Sequence, residues 1–246
     1  MDLCSITPVK QAKWMFEQPR VMLLTHLVEK YPEYAKLARE SNSFKILDNS
    51  IVELGNAVSI ERIFKAAELV NAQEIILRDG YPKAEPTRQC IKEDLEWIEK
   101  NGLLGKFKIQ AVCHGQNLEE FKETFDFINN DPRIDVIGIP KVLSLWAGER
   151  WKLFDIFKNT TKEIHFLGSW YSLREIFTMP KEVYDRVRSC DTCLPSLYVI
   201  QNKSVWEDRD GTIDLEADYP QLTKEKYDGV MDKIEKIIVS SQLDIK

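Results

Sequence analysis

Short apolar runs alternate with longer amphipathic segments along this chain, and that alternation restricts its fold more than any other feature. Eight runs predict β-strands, at residues 21–25, 44–47, 74–77, 107–112, 134–137, 164–167, 187–190 and 197–200. Helical periodicity lies between or after them, over residues 34–39, 60–70, 86–98, 118–128, 151–157, 173–177 and 224–240. Strands that alternate with helices pair in parallel, and helices cover the sheet.

Eight strand–helix units in 246 residues predict an α/β fold, a (β/α)8 TIM barrel that forms a single domain over residues 1–246. An open doubly wound sheet is the alternative, but that fold places a glycine-rich turn after its first strand. Here Thr25-His26-Leu27-Val28 follows the first predicted strand. The polar segment 202–219 is the only long irregular region, predicted to be a loop near the site or an exposed excursion.

Charge and cysteine content exclude several classes of protein. The net charge of −6 gives no overall basic field for nucleic acid or an anionic membrane, although local Lys and Arg residues can still contact phosphates. Five irregularly spaced cysteines argue against a disulfide framework. The first residues lack a signal-peptide pattern, and no apolar run approaches the roughly 20 residues that span a bilayer. We therefore expect a soluble, cytoplasmic protein with no membrane partner.

Polar and small residues are concentrated where the predicted strands end, which is where barrel enzymes build their active sites. The candidates are His26, Asp48, Ser50, Asp79, Tyr81, His114, Gly115, Gly138, Gly168 and Asp191. Taken singly, Asp48 and Asp79 also suit helix caps or turns, and the glycines could simply relieve crowding. Asp191 follows the seventh predicted strand, so three carboxylates are expected at one mouth. His165 lies inside a predicted strand and is interpreted as a packed core residue.

The pair Cys190 and Cys193 forms a C-x-x-C motif, for which two functional interpretations exist. A zinc site would need a second ligand pair at similar spacing, and none follows. A redox motif would need a thioredoxin-like context, which a barrel does not supply. We therefore predict no metal and no cofactor, with both cysteines as small residues beside Asp191.

A barrel site built mainly of Asp suggests chemistry at the anomeric carbon of a sugar. One carboxylate attacks or shields the developing oxocarbenium ion, while another handles the proton of the leaving group. Carboxylates also accept paired N–H bonds, as the edge of a purine offers. The residues thus point to glycosyl chemistry, with exchange or hydrolysis both open.

Several motifs together resemble the tRNA-guanine (queuine) transglycosylases. Asp191-Thr-Cys-Leu-Pro195 resembles the segment that carries the nucleophilic Asp of this family. The other matching segments, in order, are 47–50, 78–82, 111–115 (with His114 in the place of a Gln), 137–138 and 167–168. The family's zinc site and tRNA-binding region have no counterpart after Asp191. The chain is therefore most similar to the short phage and bacterial enzymes that exchange guanine in DNA for a 7-deazaguanine.

This resemblance implies a pentosyltransferase whose substrates are DNA, rather than RNA, and a 7-deazaguanine base of the preQ0 type. Asp191 would attack C1′ of a flipped-out or single-stranded deoxyguanosine, and Asp48 would act as general acid and then base. The residues expected to bind the base or line its pocket are Asp79, His114, Gly115, Gly138, Gly168, Ser50 and Tyr81. Trp170 and Tyr171 are further candidates for stacking. If a phage encodes the chain, the location is the host cytoplasm.

Other functions remain open from the sequence. A transglycosylase that acts on tRNA would use the same residues, and a nucleoside or glycoside hydrolase would use the same carboxylates with water as acceptor. A barrel that only binds nucleic acid needs no catalysis. The sequence does not determine the oligomeric state, and a homodimer stays open.

Overall fold

The computed structural model describes residues 1–169 and 171–243, with the side chains of Gln242 and Leu243 excepted. Eight parallel strands form a closed barrel in sequence order. The strands are β1 (Asp2–Ser5), β2 (Arg20–Leu24), β3 (Phe44–Asp48), β4 (Glu74–Ile76), β5 (Lys108–Val112), β6 (Val136–Pro140), β7 (Glu163–Leu167) and β8 (Val187–Thr192). The predicted (β/α)8 barrel is confirmed.

Helices lie between the strands and after the last one. They are α1 (Ala12–Met15), α2 (Thr25–Lys30), α3 (Pro32–Glu40), α4 (Ile51–Leu54), α5 (Ile60–Val70), α6 (Ala84–Lys100), α7 (Leu118–Asn129), α8 (Ser144–Ala147), α9 (Phe154–Phe157), α10 (Arg174–Phe177), α11 (Lys181–Arg186), α12 (Leu194–Ile200) and α13 (Lys224–Leu243). Short 3₁₀ turns occupy Val9–Gln11, Lys141–Leu143 and Arg150–Leu153. None of the helices in the described ranges is both long and apolar enough to cross a bilayer.

The predicted number of strands, eight, is right because two errors compensate. One strand was missed, and one was predicted where the structure has a helix. Strand β1 was not predicted, although it closes the barrel by pairing with β8, Cys4 beside Asp191. The predicted strand at 197–200 is wrong, because these residues belong to helix α12. Pro195 lies in the first turn of α12, where its fixed backbone angle suits a helix. Asp191 therefore lies within the eighth strand rather than after the seventh.

The sixth strand is shifted along the chain from its predicted position. It spans Val136–Pro140, so Gly138 lies within β6 and not after it. A Cβ atom at Gly138 would come within 2.6 Å of Leu167 Cδ1 and 2.8 Å of Gln110 Nε2. Glycine is required there because those two side chains fill the space inside the barrel.

Two apolar layers support the barrel. The larger lies between the strands and the surrounding helices and includes residues such as Leu47, Phe121 and Phe166. The smaller lies inside the barrel and consists of Cys4, Met22, Ile46, Ile76 and Val112. The inner layer ends just below the carboxyl ends of the strands, and it forms part of the floor of the cavity described below.

Charged side chains close the opposite, amino-terminal end of the barrel. Both carboxylate oxygens of the fully buried Glu74 accept hydrogen bonds from Arg188, at 2.8 and 2.9 Å. Arg188 also pairs with Glu163, and Lys108 lies 2.8 Å from the other oxygen of Glu163. We refer to Glu74, Lys108, Glu163 and Arg188 as the basal charge cluster. Each of its carboxylates is paired with a fixed cation.

Candidate active site

A cavity of about 490 Å³ opens at the carboxyl ends of the strands. Three carboxylates that the sequence placed at strand ends, Asp48, Asp79 and Asp191, all line it. Other predicted residues in its wall are His26, Tyr81, His114 and Gly168. Its floor is apolar and includes Ile6, Met22, Leu24, Val112 and Leu167. The site thus combines several acidic groups with an apolar floor. Its volume is in the range that is usual for ligand pockets.

Asp191 is held through one of its two oxygens. Gly168 N–H donates to Oδ1 at 2.7 Å, and the Nε2 atom of His165 lies 3.1 Å from the same oxygen. Gly168 can face the carboxylate because its φ of +69° is a left-handed conformation that glycine adopts easily. Within the described ranges, Oδ2 of Asp191 makes no hydrogen bond. The carboxylate therefore presents one anchored and one available oxygen at the cavity.

Asp48 ends β3, is partly exposed and lines the cavity. Ser50 N–H donates to its Oδ1 at 2.6 Å, in a turn where Ser50 itself has a φ of 62°. Burial raises the pKa of Asp48 well above its usual value, and the negative charges of Glu53, Asp191 and Asp79 raise it further. A carboxyl group in this state can keep a proton at a pH where an ordinary Asp has lost it.

Asp79 is almost fully buried and has partners on both oxygens. Asn49 Nδ2 donates to Oδ2 at 2.9 Å, Tyr81 N–H donates to Oδ1 at 3.0 Å, and His114 Nε2 lies 3.1 Å from Oδ1. The rings of Tyr81 and His114 meet edge to face, with centroids 5.5 Å apart. Nδ1 of His114 is buried without a hydrogen-bond partner among the described residues. Asp79 and His114 are thus one preorganised polar unit in the cavity wall.

Three predicted site residues, Ser50, Gly115 and Gly138, lie behind the cavity wall rather than in it. Ser50 orients Asp48 through its backbone, as described above. A Cβ atom at Gly115 would lie 2.5 Å from the backbone nitrogen of Phe121, so its glycine permits close packing of α7. Gly138 packs inside the barrel against Leu167 and Gln110. These three residues support the cavity wall, but they are not among the residues that line the cavity.

Sequence reasoning missed several residues that the structure places at the site. His165, interpreted as core, is fully buried and contacts Asp191 directly. Lys141 was not missed outright, since it is one of the local cations that the sequence offered for phosphate contacts. It follows β6 and lines the cavity, and its aliphatic stem lies against Gly168. Glu53 of α4 lies at the mouth. The position of Lys141 directly after a predicted strand was a usable signal, whereas nothing local in the sequence connects His165 with Asp191.

Arg150 is another missed residue, and it clamps the wall that carries Asp191. Its side chain is fully buried and pairs with Glu175 at 2.7 Å. The guanidinium also donates to the carbonyls of Ile139, Leu167 and Gly168, at 2.9, 3.0 and 2.8 Å. These contacts tie the ends of β6 and β7 together, which fixes the backbone at Gly168.

The segment 202–219 contains no helix or strand, and part of it covers the cavity. Arg209 and residues 212–216 lie in the cavity wall. Leu215 O accepts a hydrogen bond from Val9 N–H at 2.8 Å, and Glu216 pairs with Lys30 and Tyr31. Tyr171, a predicted stacking residue, is exposed and its carbonyl accepts from Arg209 N–H at 2.6 Å. Trp170, the other stacking candidate, lies outside the described residues.

Of the two C-x-x-C cysteines, Cys190 is buried in β8 beside Asp191, whereas Cys193 follows β8, is partly exposed and lines the cavity. Burial raises the pKa of the Cys190 thiol to about 12 and also raises the pKa of Cys193. Thiols in this state are poor nucleophiles and poor metal ligands, because both roles need the thiolate. Across residues 1–169 and 171–243, no group of three or more His, Cys, Asp or Glu side chains is arranged to hold a metal ion.

Comparison with known proteins identifies the architecture and nothing finer. No protein-family model matches the chain, and no curated protein matches it. Among solved structures, the YdjI aldolase of Escherichia coli is similar with a TM-score of 0.56 and 10% identity, over 98% of this chain and 91% of that one. A glycerol uptake operon antiterminator-related protein of Thermotoga maritima (TM-score 0.48, 14% identity, 78% and 93% covered) and a mandelate racemase/muconate lactonizing enzyme-like protein of Rubrobacter xylanophilus (0.48, 13%, 77% and 51%) are further matches. At these identities the likeness shows the barrel fold alone.

Proposed function

We propose that the protein is a base-exchange transglycosylase that replaces guanine in DNA with a 7-deazaguanine, through a covalent ester between Asp191 and the sugar. The observation that carries this proposal is the state of Asp191. Its Oδ1 is anchored by Gly168 and His165, while Oδ2 is available beside two further carboxylates, Asp48 and Asp79. An anchored carboxylate with one available oxygen suits nucleophilic attack at an anomeric carbon.

In the first half of the reaction, Oδ2 of Asp191 attacks C1′ of the target deoxyguanosine. The glycosidic C–N bond breaks, and the departing guanine needs a proton. Asp48 is suited to donate it, because its raised pKa keeps the carboxyl group protonated at higher pH than usual. The products are a glycosyl ester on Asp191, free guanine and an ionised Asp48.

The second half reverses these roles. An incoming 7-deazaguanine enters the cavity, and Asp48 removes the proton from its ring nitrogen. That nitrogen attacks C1′, the ester bond to Asp191 breaks, and both carboxyl groups return to their starting states. Atoms and charges balance, so the exchange needs no nucleotide cofactor, and no step is assigned to a metal ion.

The polar unit of Asp79 and His114 supports the choice of a purine base. A carboxylate that is already oriented by Asn49 and Tyr81 can accept N–H bonds from a guanine edge without further reorganisation. The apolar floor below it suits a flat ring. The cavity lies at the bottom of the barrel mouth, where a base stacked in a duplex does not reach. A DNA substrate therefore has to present the target base unstacked.

The proposal is tested by incubating the protein with labelled guanine or 7-deazaguanine and DNA, both single-stranded and duplex. We expect label to enter the DNA and a protein–DNA adduct to survive a denaturing gel. Structured RNA in a parallel reaction distinguishes DNA exchange from action on tRNA. Base release without incorporation would instead indicate a hydrolase, and DNA binding with neither reaction would indicate a binding protein.

A further inference from the structure

His165 occupies a position in β7 from which it connects Asp191 with the interior of the barrel. Its side chain is fully buried. Nε2 lies 3.1 Å from Asp191 Oδ1, and Nδ1 lies 2.8 Å from Ser189 Oγ. Ser189 and Asp191 are two residues apart in β8, so their side chains lie on the same face of the strand. One imidazole therefore contacts both.

The hydrogen-bond pattern determines which ring nitrogen carries the proton. Arg188 Nε donates to Ser189 Oγ at 3.2 Å, and a guanidinium can only donate. The Ser189 hydroxyl can accept this bond and still donate its own hydrogen to Nδ1 of His165. Nε2 faces a carboxylate oxygen, which accepts, so Nε2 carries a proton and donates to Asp191 Oδ1.

We propose that His165 is a positioning residue for Asp191, an N–H donor that holds Oδ1 together with Gly168 and leaves Oδ2 to attack. The inference rests on the proposed function and goes beyond it. Two donors on one oxygen fix the orientation of the carboxylate, so that the other oxygen faces the cavity. The same two donors stabilise the carboxylate again when the ester bond to C1′ breaks.

This role predicts a particular response to loss of the donor. With His165→Leu, free ionised Asp191 loses one hydrogen bond, whereas the neutral ester loses a weaker one. We expect kcat to fall about 10- to 100-fold, as for loss of a hydrogen bond to a charged group. The fraction of enzyme held as covalent adduct at equilibrium should rise, and KM for DNA should fall with kcat because the adduct accumulates.

Two further variants separate positioning from a structural role. His165→Gln can place an N–H donor near the same oxygen, so it should recover a measurable part of kcat and lower the adduct fraction again. Ser189→Ala removes only the group that fixes the tautomer and should give a smaller loss. Circular dichroism and thermal melting show whether each variant folds. If the adduct fraction falls in parallel with kcat in His165→Leu, the positioning role is wrong.

A spectroscopic experiment on the wild-type protein tests the inference apart from the reaction. The ¹⁵N shifts of the His165 ring should show a protonated Nε2, and the Nε2 signal should move in Asp191→Asn. A ring without a proton on Nε2 would overturn the inference, even if base exchange occurs. If instead the wild type gives no exchange and no adduct while the expected ¹⁵N pattern is found, the proposed function fails and the His165–Asp191 contact stands.

Discussion

The two ends of the barrel bind their carboxylates in opposite ways. At the amino-terminal end, Glu74 and Glu163 are bound by the cationic side chains of Arg188 and Lys108. At the mouth, the hydrogen bonds described for Asp48, Asp79 and Asp191 come from backbone N–H groups, one amide and two imidazoles. Lys and Arg side chains close one end, while the donors at the other end leave one oxygen of Asp191 available.

The pKa values differ in the same sense. Burial alone would raise the pKa of Glu163, but the hydrogen bond from Lys108 and the charge of Arg188 hold it below its usual value. Burial and the neighbouring carboxylates raise the pKa of Asp48. The comparison teaches that acidic residues at strand ends of a barrel indicate a site only when cations do not satisfy them. The following experiments, in order of expected effect, test that difference.

Replacing the proposed nucleophile, Asp191, should give the largest effect. We expect Asp191→Ala to lower base exchange about 10⁴-fold or more and to abolish the covalent adduct, since the reaction loses its attacking atom. Exchange of labelled guanine and denaturing gels measure both. Glu163→Gln is the matched control at the other end of the barrel, and it should keep its adduct. An adduct that persists in Asp191→Ala would place the nucleophile elsewhere.

Replacing the proposed acid–base group should have the next largest effect on the rate. Asp48→Asn should lower kcat by about 10²- to 10⁴-fold, because an amide neither donates the proton to guanine nor removes one from the incoming base. In the wild type, kcat/KM should fall as the pH rises through the raised pKa of Asp48. A pH profile with an unchanged alkaline limb in Asp48→Asn would contradict the assignment.

Breaking the basal charge cluster should affect stability rather than chemistry. Glu74→Ala removes the bidentate partner of the mostly buried Arg188 guanidinium, which keeps its pairing with Glu163, so we expect a loss of about 3 kcal/mol, the lower end of the cost of breaking a buried pair. Urea denaturation at neutral pH measures this loss of unfolding free energy. If Glu74→Ala is as stable as the wild type, then the cluster does not close the barrel in the way described.

The smallest effects should appear in the pH dependence of stability, where Asp48 and Glu163 should act in opposite directions. Because the folded pKa of Asp48 is raised, wild-type stability declines as the pH rises above the unfolded value of about 3.9. Asp48→Asn should therefore gain at least ~1 kcal/mol over the wild type at neutral pH, and this gain should vanish below about pH 4. Parallel stability curves of variant and wild type would show that Asp48 is not destabilised by its surroundings.

Glu163 should show the reverse dependence. Its folded pKa is lowered, so its contribution to stability is present above the unfolded value of about 4.3 and is lost on acidification through the folded value. Glu163→Gln should lose less than ~1 kcal/mol at neutral pH, since the side chain is partly exposed, and nothing at low pH. Urea denaturation at several pH values measures both variants in one series.

Most of the fold could be predicted because the central strands are buried on both faces and read as apolar runs. Strand β1 escaped, since two of its four residues, Asp2 and Ser5, are polar and its pairing depends on β8. The apolar run at 197–200 suits either a strand or a buried helix, and only Pro195 favoured the helix.

The candidate site also contains some residues that the sequence could predict and others that it could not. Asp48, Asp79 and Asp191 could be found because strand ends share one edge of the barrel. His165 and Arg150 could not, because their partners are distant in sequence and their roles depend on three-dimensional contacts. A histidine in mid-strand and an arginine in a 3₁₀ turn carry no local signal of function.

The Arg150 clamp has a consequence for redesign of the pocket. The guanidinium holds β6 and β7 through the main-chain carbonyls of Ile139, Leu167 and Gly168, and so it is indifferent to the side chain at Leu167. Leu167 nevertheless forms part of the cavity floor. We expect a library at this one position to alter which ligands the cavity accepts, while the frame that carries Asp191 keeps its shape.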